Sequence, residues 1–134
     1  MKRRALLLAG GLGAVAGAAA QPAPAGAPRA KRTGPPDVQP VTLGGVRYEA
    51  LHWGRKRGLG QNGGFIVAID MASGRELWVQ RIYEIRYNPD MEPDVQDRFI
   101  TAIRKRMFSN TLEITDEAGH RYRFDPATRA VSPH

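Results

Sequence analysis

The sequence predicts a mainly β fold: a small single domain with an antiparallel sheet, a sandwich or an open barrel of about six or seven strands, and at most one short helix. Apolar and polar residues alternate from Gly45 to Trp53, as in a strand with one buried face. Residues 65–69 are all apolar and have the length of a buried strand. Glycine-containing turn sequences at 71–74 and 116–119 have the spacing expected between short strands.

The first twenty residues have the organisation of an export signal. Residues 2–4 are basic, Ala5 to Ala20 is an uncharged run of small and apolar residues, and small residues precede Gln21. We therefore expect a signal peptide over 1–20, cleavage before Gln21, and a periplasmic or secreted bacterial protein without a transmembrane segment in its mature form. A retained anchor is the alternative, but a spanning helix needs about 20 predominantly apolar residues, and this run is interrupted by glycines.

The export route stays open between the general secretory and the twin-arginine pathways, because Arg3-Arg4 stands before an apolar run in a very short n-region. The chain has no cysteine, which excludes a lipidated cysteine at the cleavage site. The same absence means that disulfides cannot stabilise the exported domain.

Residues 21–40 form a separate segment by composition. They hold six of the ten prolines, many alanines, the bases Arg29, Lys31 and Arg32, and a single acid, Asp37. Such a stretch has little to bury, so we expect a Pro/Ala-rich disordered linker.

Residues 41–134 are predicted to form the β domain. They contain 14 basic and 12 acidic residues, a formal charge of +2, although the whole chain carries +7. A mixed surface of this kind argues against a nucleic-acid partner.

Within this domain, residues 65–69 and a long strand containing Leu77, Tyr83 and Tyr87 flank the turn at 71–74 as a predicted hairpin. A second hairpin is predicted from Leu112 to Phe124, with a turn at 116–119, before a last short extended piece.

The segment from Pro93 to Met107 carries two signals. Apolar residues recur every fourth position, and Pro93 suits a first helical turn, whereas residues 99–103 are rich in strand-forming side chains. We expect a short helical turn at about 93–98 that leads into a strand; a single helix over the whole segment is the alternative.

Residues 68–78 read Ala-Ile-Asp-Met-Ala-Ser-Gly-Arg-Glu-Leu-Trp. This run resembles the blade signature of quinoprotein-type β-propellers, in which Asp and Ser bond the turn backbone, Gly accepts a positive φ, and Trp docks between blades. A propeller needs at least four blades of roughly 40 residues each. The isolated motif therefore implies a hairpin, and we predict neither a propeller nor a cofactor.

Three further motifs are His52-Trp53-Gly54, the Gln-Asn-Gly-Gly run at 61–64 and the Asp-Val-Gln-Asp run at 94–97. In these the chain resembles small uncharacterised exported bacterial proteins. The resemblance implies export and supplies no activity.

Residues 54–64 form a loop with five glycines, the basic triplet Arg55, Lys56 and Arg57, and the amides Gln61 and Asn62. Such a loop can direct backbone N–H groups and positive charge at an anion. The G-x-G-x-x-G spacing at 58–63 is no dinucleotide fingerprint, since a strand follows instead of a helix. The alternative is a solvated loop between strands.

A second basic triplet is Arg104, Lys105 and Arg106. If the fold brings both triplets to one face, they form a patch for lipid headgroups, lipopolysaccharide phosphates or an acidic protein; otherwise they are solvated faces. Trp53 and Trp78 are candidate anchors of a core or an interface.

No metal site is predicted. The acidic residues between Asp90 and Asp97 are interrupted by proline and lack the glycine of a calcium loop, so capping of the helical turn is their expected role. The three histidines are dispersed. His52 is the only candidate acid or base, and a structural histidine is the alternative.

Together these features predict a binding module of the cell envelope, with a protein adaptor as the leading interpretation. A binder of anionic lipid or envelope polymer through the basic glycine-rich loop is one alternative. An enzyme acting through His52 is another.

Overall fold

The computed structural model describes residues 34–134, so the expected signal peptide and most of the expected linker lie outside the described residues. Two four-stranded antiparallel sheets follow each other along the chain, in the orders β1-β2-β3-β4 and β5-β6-β7-β8. The mainly β prediction is confirmed, with eight strands instead of the six or seven expected. The strands are β1 (Val41–Leu43), β2 (Val46–Leu51), β3 (Phe65–Asp70), β4 (Glu76–Arg81), β5 (Ile100–Lys105), β6 (Leu112–Asp116), β7 (Arg121–Asp125) and β8 (Ala130–Pro133).

The hairpin between β3 and β4 forms where its turn residues predict it. The Asp70 carboxylate accepts hydrogen bonds from the backbone N–H and the hydroxyl of Ser73, at 2.9 and 2.7 Å. Gly74 has φ +74°, a conformation that glycine adopts without a steric cost. Side-chain and backbone chemistry within a few residues therefore sets this turn.

The segment before β5 contains a single helical turn, α1 (Pro93–Gln96), and β5 begins at Ile100. The predicted helical turn followed by a strand is confirmed, and a single helix over 93–107 is wrong. Strand pairing explains the outcome, since residues 100–105 pair with β6, Ile103 facing Ile114.

The core lies between the two sheets. Ile66 and Ala68 of β3 and Leu112, Ile114 and Phe124 of the second sheet are buried in one cluster. The ring of Trp78 meets that of Phe124 edge to face, with centroids 5.8 Å apart. None of the helices in the described part of the chain is long and apolar enough to cross a bilayer.

The predicted long strand from Leu77 to Tyr87 is wrong beyond Arg81, where β4 ends. Tyr83 and Ile85 are nevertheless buried. The side chain of Gln61 makes hydrogen bonds of the kind that a neighbouring strand would make. Its amide nitrogen donates to the Tyr83 carbonyl at 2.8 Å, and its amide oxygen accepts from the Ile85 N–H at 2.9 Å. Gln61 thus satisfies two backbone groups of the segment after Arg81 without further strand pairing.

Candidate functional site

The glycine-rich loop, residues 54–64, begins with a 3₁₀ turn at Gly54–Arg57 and is fixed by its two amide side chains. Gln61 is buried and bonds the backbone of Gly63, Tyr83 and Ile85. Asn62 donates from its amide nitrogen to the Asp97 carboxylate at 2.9 Å. Both residues predicted as binding residues thus hold the loop against the following segment.

A tyrosine completes this connection. The Tyr87 hydroxyl donates to the other Asp97 oxygen at 2.5 Å, and burial followed by this hydrogen bond raises the pKa of Tyr87 above its ordinary 10.0. Asp97, expected to cap the helical turn, instead accepts hydrogen bonds from Asn62 of the loop and from Tyr87.

The loop already uses many of its own N–H groups. Gly54 donates to the Asn62 carbonyl, Arg55 to the Asn62 side chain, Lys56 to the Trp53 carbonyl, and Gly58 and Leu59 to carbonyls of the 3₁₀ turn. An anion held by these N–H groups would have to displace hydrogen bonds of 3.0 to 3.2 Å.

The basic side chains of the first triplet have partners as well. The guanidinium of Arg55 lies 4.5 Å from the Tyr87 ring centroid, and the ammonium of Lys56 lies 5.6 Å from that of Trp53. Arg57 forms an ion pair with Glu76 at 2.5 Å, and this hydrogen bond raises the pKa of Arg57. The pair with Glu76 neutralises the charge of Arg57, whereas the aromatic rings hold Arg55 and Lys56 by weak contacts that leave both side chains charged.

Trp53 presents an apolar surface at the same end of the domain. It packs edge-on against Phe99, with centroids 5.9 Å apart, and remains 45 % exposed. Leu59 in the loop is 39 % exposed. Trp78, by contrast, packs against the core cluster.

The glycine-rich loop contacts the chain just before β5, whereas the second triplet lies at the end of that strand. The loop contacts the residues that precede this strand, since a side chain at Gly63 would overlap the Arg98 carbonyl. Arg104 and Lys105 end the strand. No ion pair or ring contact of the first triplet among the described residues involves the second triplet, and a patch shared by both stays a prediction.

The second triplet leads into a turn that sequence reasoning did not single out. We call residues 104–111 the basic hairpin and Met107–Asn110 its tip. Met107 is 82 % exposed and Phe108 is 98 % exposed. Phe108 also has φ +60°, which bulky residues rarely adopt. The available signal was a Met-Phe pair directly after three bases and before a Ser-Asn turn.

A buried aspartate organises another cluster that the sequence did not reveal. Asp116 accepts hydrogen bonds from Arg98 Nε at 2.8 Å and from the Tyr122 hydroxyl at 3.2 Å, and His120 Nδ1 lies 3.1 Å from the same oxygen. Burial opposes the charge, but hydrogen bonds from His120, Arg98 and Tyr122 outweigh it and lower the pKa of Asp116 below 3.8. The other Asp116 oxygen accepts from the backbone N–H groups of Ala118 and His120, both at 2.9 Å, so Asp116 also anchors the turn between β6 and β7.

His52 has the geometry of a structural residue. Its Nε2 lies 3.0 Å from the Pro36 carbonyl, and its Nδ1 is buried without a hydrogen-bond partner in the described part of the chain. Since a carbonyl only accepts, Nε2 carries the proton of the neutral ring. Burial is the main cause that lowers the pKa of His52 below 6.5.

Among residues 34–134, no three histidine or acidic side chains are grouped as a metal ion would require. Comparison with protein-family models gives no match for the chain, and comparison with curated proteins gives no significant match either.

Proposed function

We propose that this protein is an exported binding module that attaches to an anionic component of the cell envelope through the basic hairpin. The observation that carries the proposal is that the second triplet forms no ion pair within the described part of the chain, although Glu113 stands opposite Arg104 in the strand register. No carboxylate among the described residues forms an ion pair with Arg104, Lys105 or Arg106.

The contrast with the first triplet supports this choice. Arg57 is paired with Glu76, and Arg55 and Lys56 lie over aromatic rings. Cations near an anionic membrane surface contribute about 1 kcal/mol each, provided that they are not already neutralised. The second triplet meets that condition better than the first.

A protein partner at the opposite end is the second candidate. It is favoured by the exposed surfaces of Trp53 and Leu59 beside the cation of Lys56. Aromatic side chains of this kind are enriched at the centres of protein interfaces. This candidate corresponds to the adaptor interpretation and uses the glycine-rich loop.

An amide NMR titration of the expected mature chain, residues 21–134, distinguishes these candidates. We would add soluble polyphosphate and, separately, bicelles with and without an anionic lipid. The proposal expects shifts at residues 104–111 that appear only with the anionic additions and disappear as salt is raised. Shifts confined to 54–64, or none at all, would overturn it.

A charge-neutralising variant provides the matched comparison. Replacing residues 104–106 by glutamine should abolish the shifts, whereas the same replacement at 55–57 should leave them. Equal losses in the two variants would indicate attraction by net charge alone and would contradict a defined site.

A further inference from the structure

We infer that the tip of the basic hairpin inserts into the surface of an anionic lipid bilayer, so that Met107 and Phe108 enter the boundary between headgroups and acyl chains. The inference rests on the proposed function and names the class of its ligand: a lipid membrane, not a soluble polyanion.

The first argument is the exposure of the tip. Met107 and Phe108 are adjacent and exposed by 82 % and 98 %, whereas the next most exposed large apolar residue among those described, Met71, reaches 52 %. Neither side chain contributes to the core. Large apolar groups presented to solvent at the end of a hairpin are typical of surfaces that are covered by a partner.

The second argument is the backbone of Phe108. Its φ of +60° is unfavourable for a residue with a large Cβ substituent, and the exposed ring offers no compensating contact. Glycine or asparagine would occupy this position at lower cost. A residue that is unfavourable both in conformation and in exposure points to a role outside the folded chain.

The third argument is the arrangement of charge. Successive residues of a strand face opposite sides, so Arg104 and Lys105 project to the two faces of the hairpin. Arg106 follows directly before the tip. Bases on both faces surround an apolar end, and a hairpin that enters a surface end-on would place them at the level of the lipid phosphates.

The hairpin also limits the depth of insertion. The Arg106 N–H donates to the Thr111 carbonyl at 3.0 Å, and the hydroxyls of Ser109 and Thr111 are 2.7 Å apart. Beyond this pair lies irregular backbone, which cannot enter the hydrocarbon interior with its polar groups unpaired. Insertion therefore stops at the interface, about 5–10 Å deep, as for interfacial helices.

A local probe tests insertion directly. Because the chain has no cysteine, Phe108→Cys can carry the only environment-sensitive fluorophore, and Val95→Cys provides a control in α1 near the opposite end of β5. We expect a blue shift at position 108 on phosphatidylglycerol-containing vesicles, and none on phosphatidylcholine vesicles, with polyphosphate, or at position 95. The mature chain that the proposed export implies, residues 21–134, is used throughout, because the basic and apolar leader would itself bind anionic vesicles.

Substitutions test the same point without a label. Phe108→Asn suits the positive φ and should leave the fold intact. It should lower the affinity for anionic vesicles, measured from the shifts of residues 104–111, by about ten- to a hundredfold, which is the contribution expected from burying one such ring. Met107→Ser should lower the affinity for anionic vesicles by a similar factor, and Val95→Ser should leave it unchanged. Binding of polyphosphate should be unchanged in all three variants.

The outcomes separate the two proposals. If polyphosphate and anionic vesicles both shift residues 104–111 and Phe108→Asn changes neither, the inference fails while the proposed function stands. If neither addition shifts them, the proposed function fails. A blue shift at position 108 that grows with protein concentration and needs no vesicles would assign the tip to a second copy of the chain and overturn the inference.

Discussion

The guanidinium carbon of Arg129 lies 3.9 Å from the centroid of the Trp78 ring and joins the two sheets of the domain. Arg129 belongs to the turn between β7 and β8, whereas Trp78 lies on β4. Arg129 Nε also donates to the Gln80 side chain at 2.9 Å. The φ of +68° at Arg129 is unfavourable for a residue with a side chain, and these contacts offset its cost.

Replacing Arg129 should therefore weaken the packing of the two sheets. We expect Arg129→Ala to lower the free energy of unfolding by about 2 kcal/mol, through loss of the ring contact and the hydrogen bond, as measured by urea denaturation. Arg123→Ala, on exposed β7 surface, should change it by less than about 0.5 kcal/mol. Equal effects would show that the Trp78 contact contributes little.

Asp116 should be the most sensitive carboxylate of the second sheet. We expect Asp116→Asn to cost about 3 kcal/mol, because Arg98 loses its buried charge partner. Asp125→Asn, in a turn where the carboxylate accepts from the Ala127 N–H, is the matched control and should cost about 1 kcal/mol or less.

The pH dependence of Asp116 has a definite sign. Its folded pKa lies below the ordinary 3.8, so its stabilisation is complete above pH 3.8 and decreases as the pH falls through the folded pKa. The asparagine variant should lack this loss in acid unfolding. An unchanged acid profile would contradict the assignment of a charged Asp116.

His52 should produce a second pH dependence in a higher range. Its folded pKa is lowered from 6.5, so below about pH 6.5 the unfolded chain binds a proton that the folded chain resists. Stability should decrease from pH 7 toward pH 5, and His52→Gln should reduce the slope. Chemical denaturation at both pH values measures this difference, and parallel slopes would exclude His52 as its source.

Two glycines of the loop should differ sharply in tolerance. A side chain at Gly63 would overlap the Arg98 carbonyl, whereas Gly60 has open space around it but φ +87°. We expect Gly63→Ala to cost more than about 3 kcal/mol through overpacking of backbone, and Gly60→Ala about 1–2 kcal/mol through its positive φ. Thermal unfolding of the two variants would test the order.

The elements that sequence predicted correctly depend on local chemistry. The turn after Asp70 is set by Ser73 and Gly74 within four residues. Pro93 starts a helical turn, and the strand-forming residues that follow pair as β5. In each case the contacts that define the element join residues close together in the sequence, or the element follows directly from its residue types.

The features that sequence missed depend on distant contacts. Gln61 is buried because its partners include Tyr83 and Ile85, more than twenty residues away. Asp116 meets Arg98 across 18 residues.

The charged end of β5 also affects whether copies of the protein can pair along the edges of their sheets. β1 has three residues, and β8 carries Pro133, which has no N–H to donate, so neither edge offers a long template for another strand. β4 and β5 are longer edges of 6 residues each, and copies paired through β5 would bring the cations of Arg104 and Lys105 close together. This repulsion opposes pairing of two copies through β5. A polyanion that neutralises the two side chains would remove the barrier and make growth of cross-chain β structure easier.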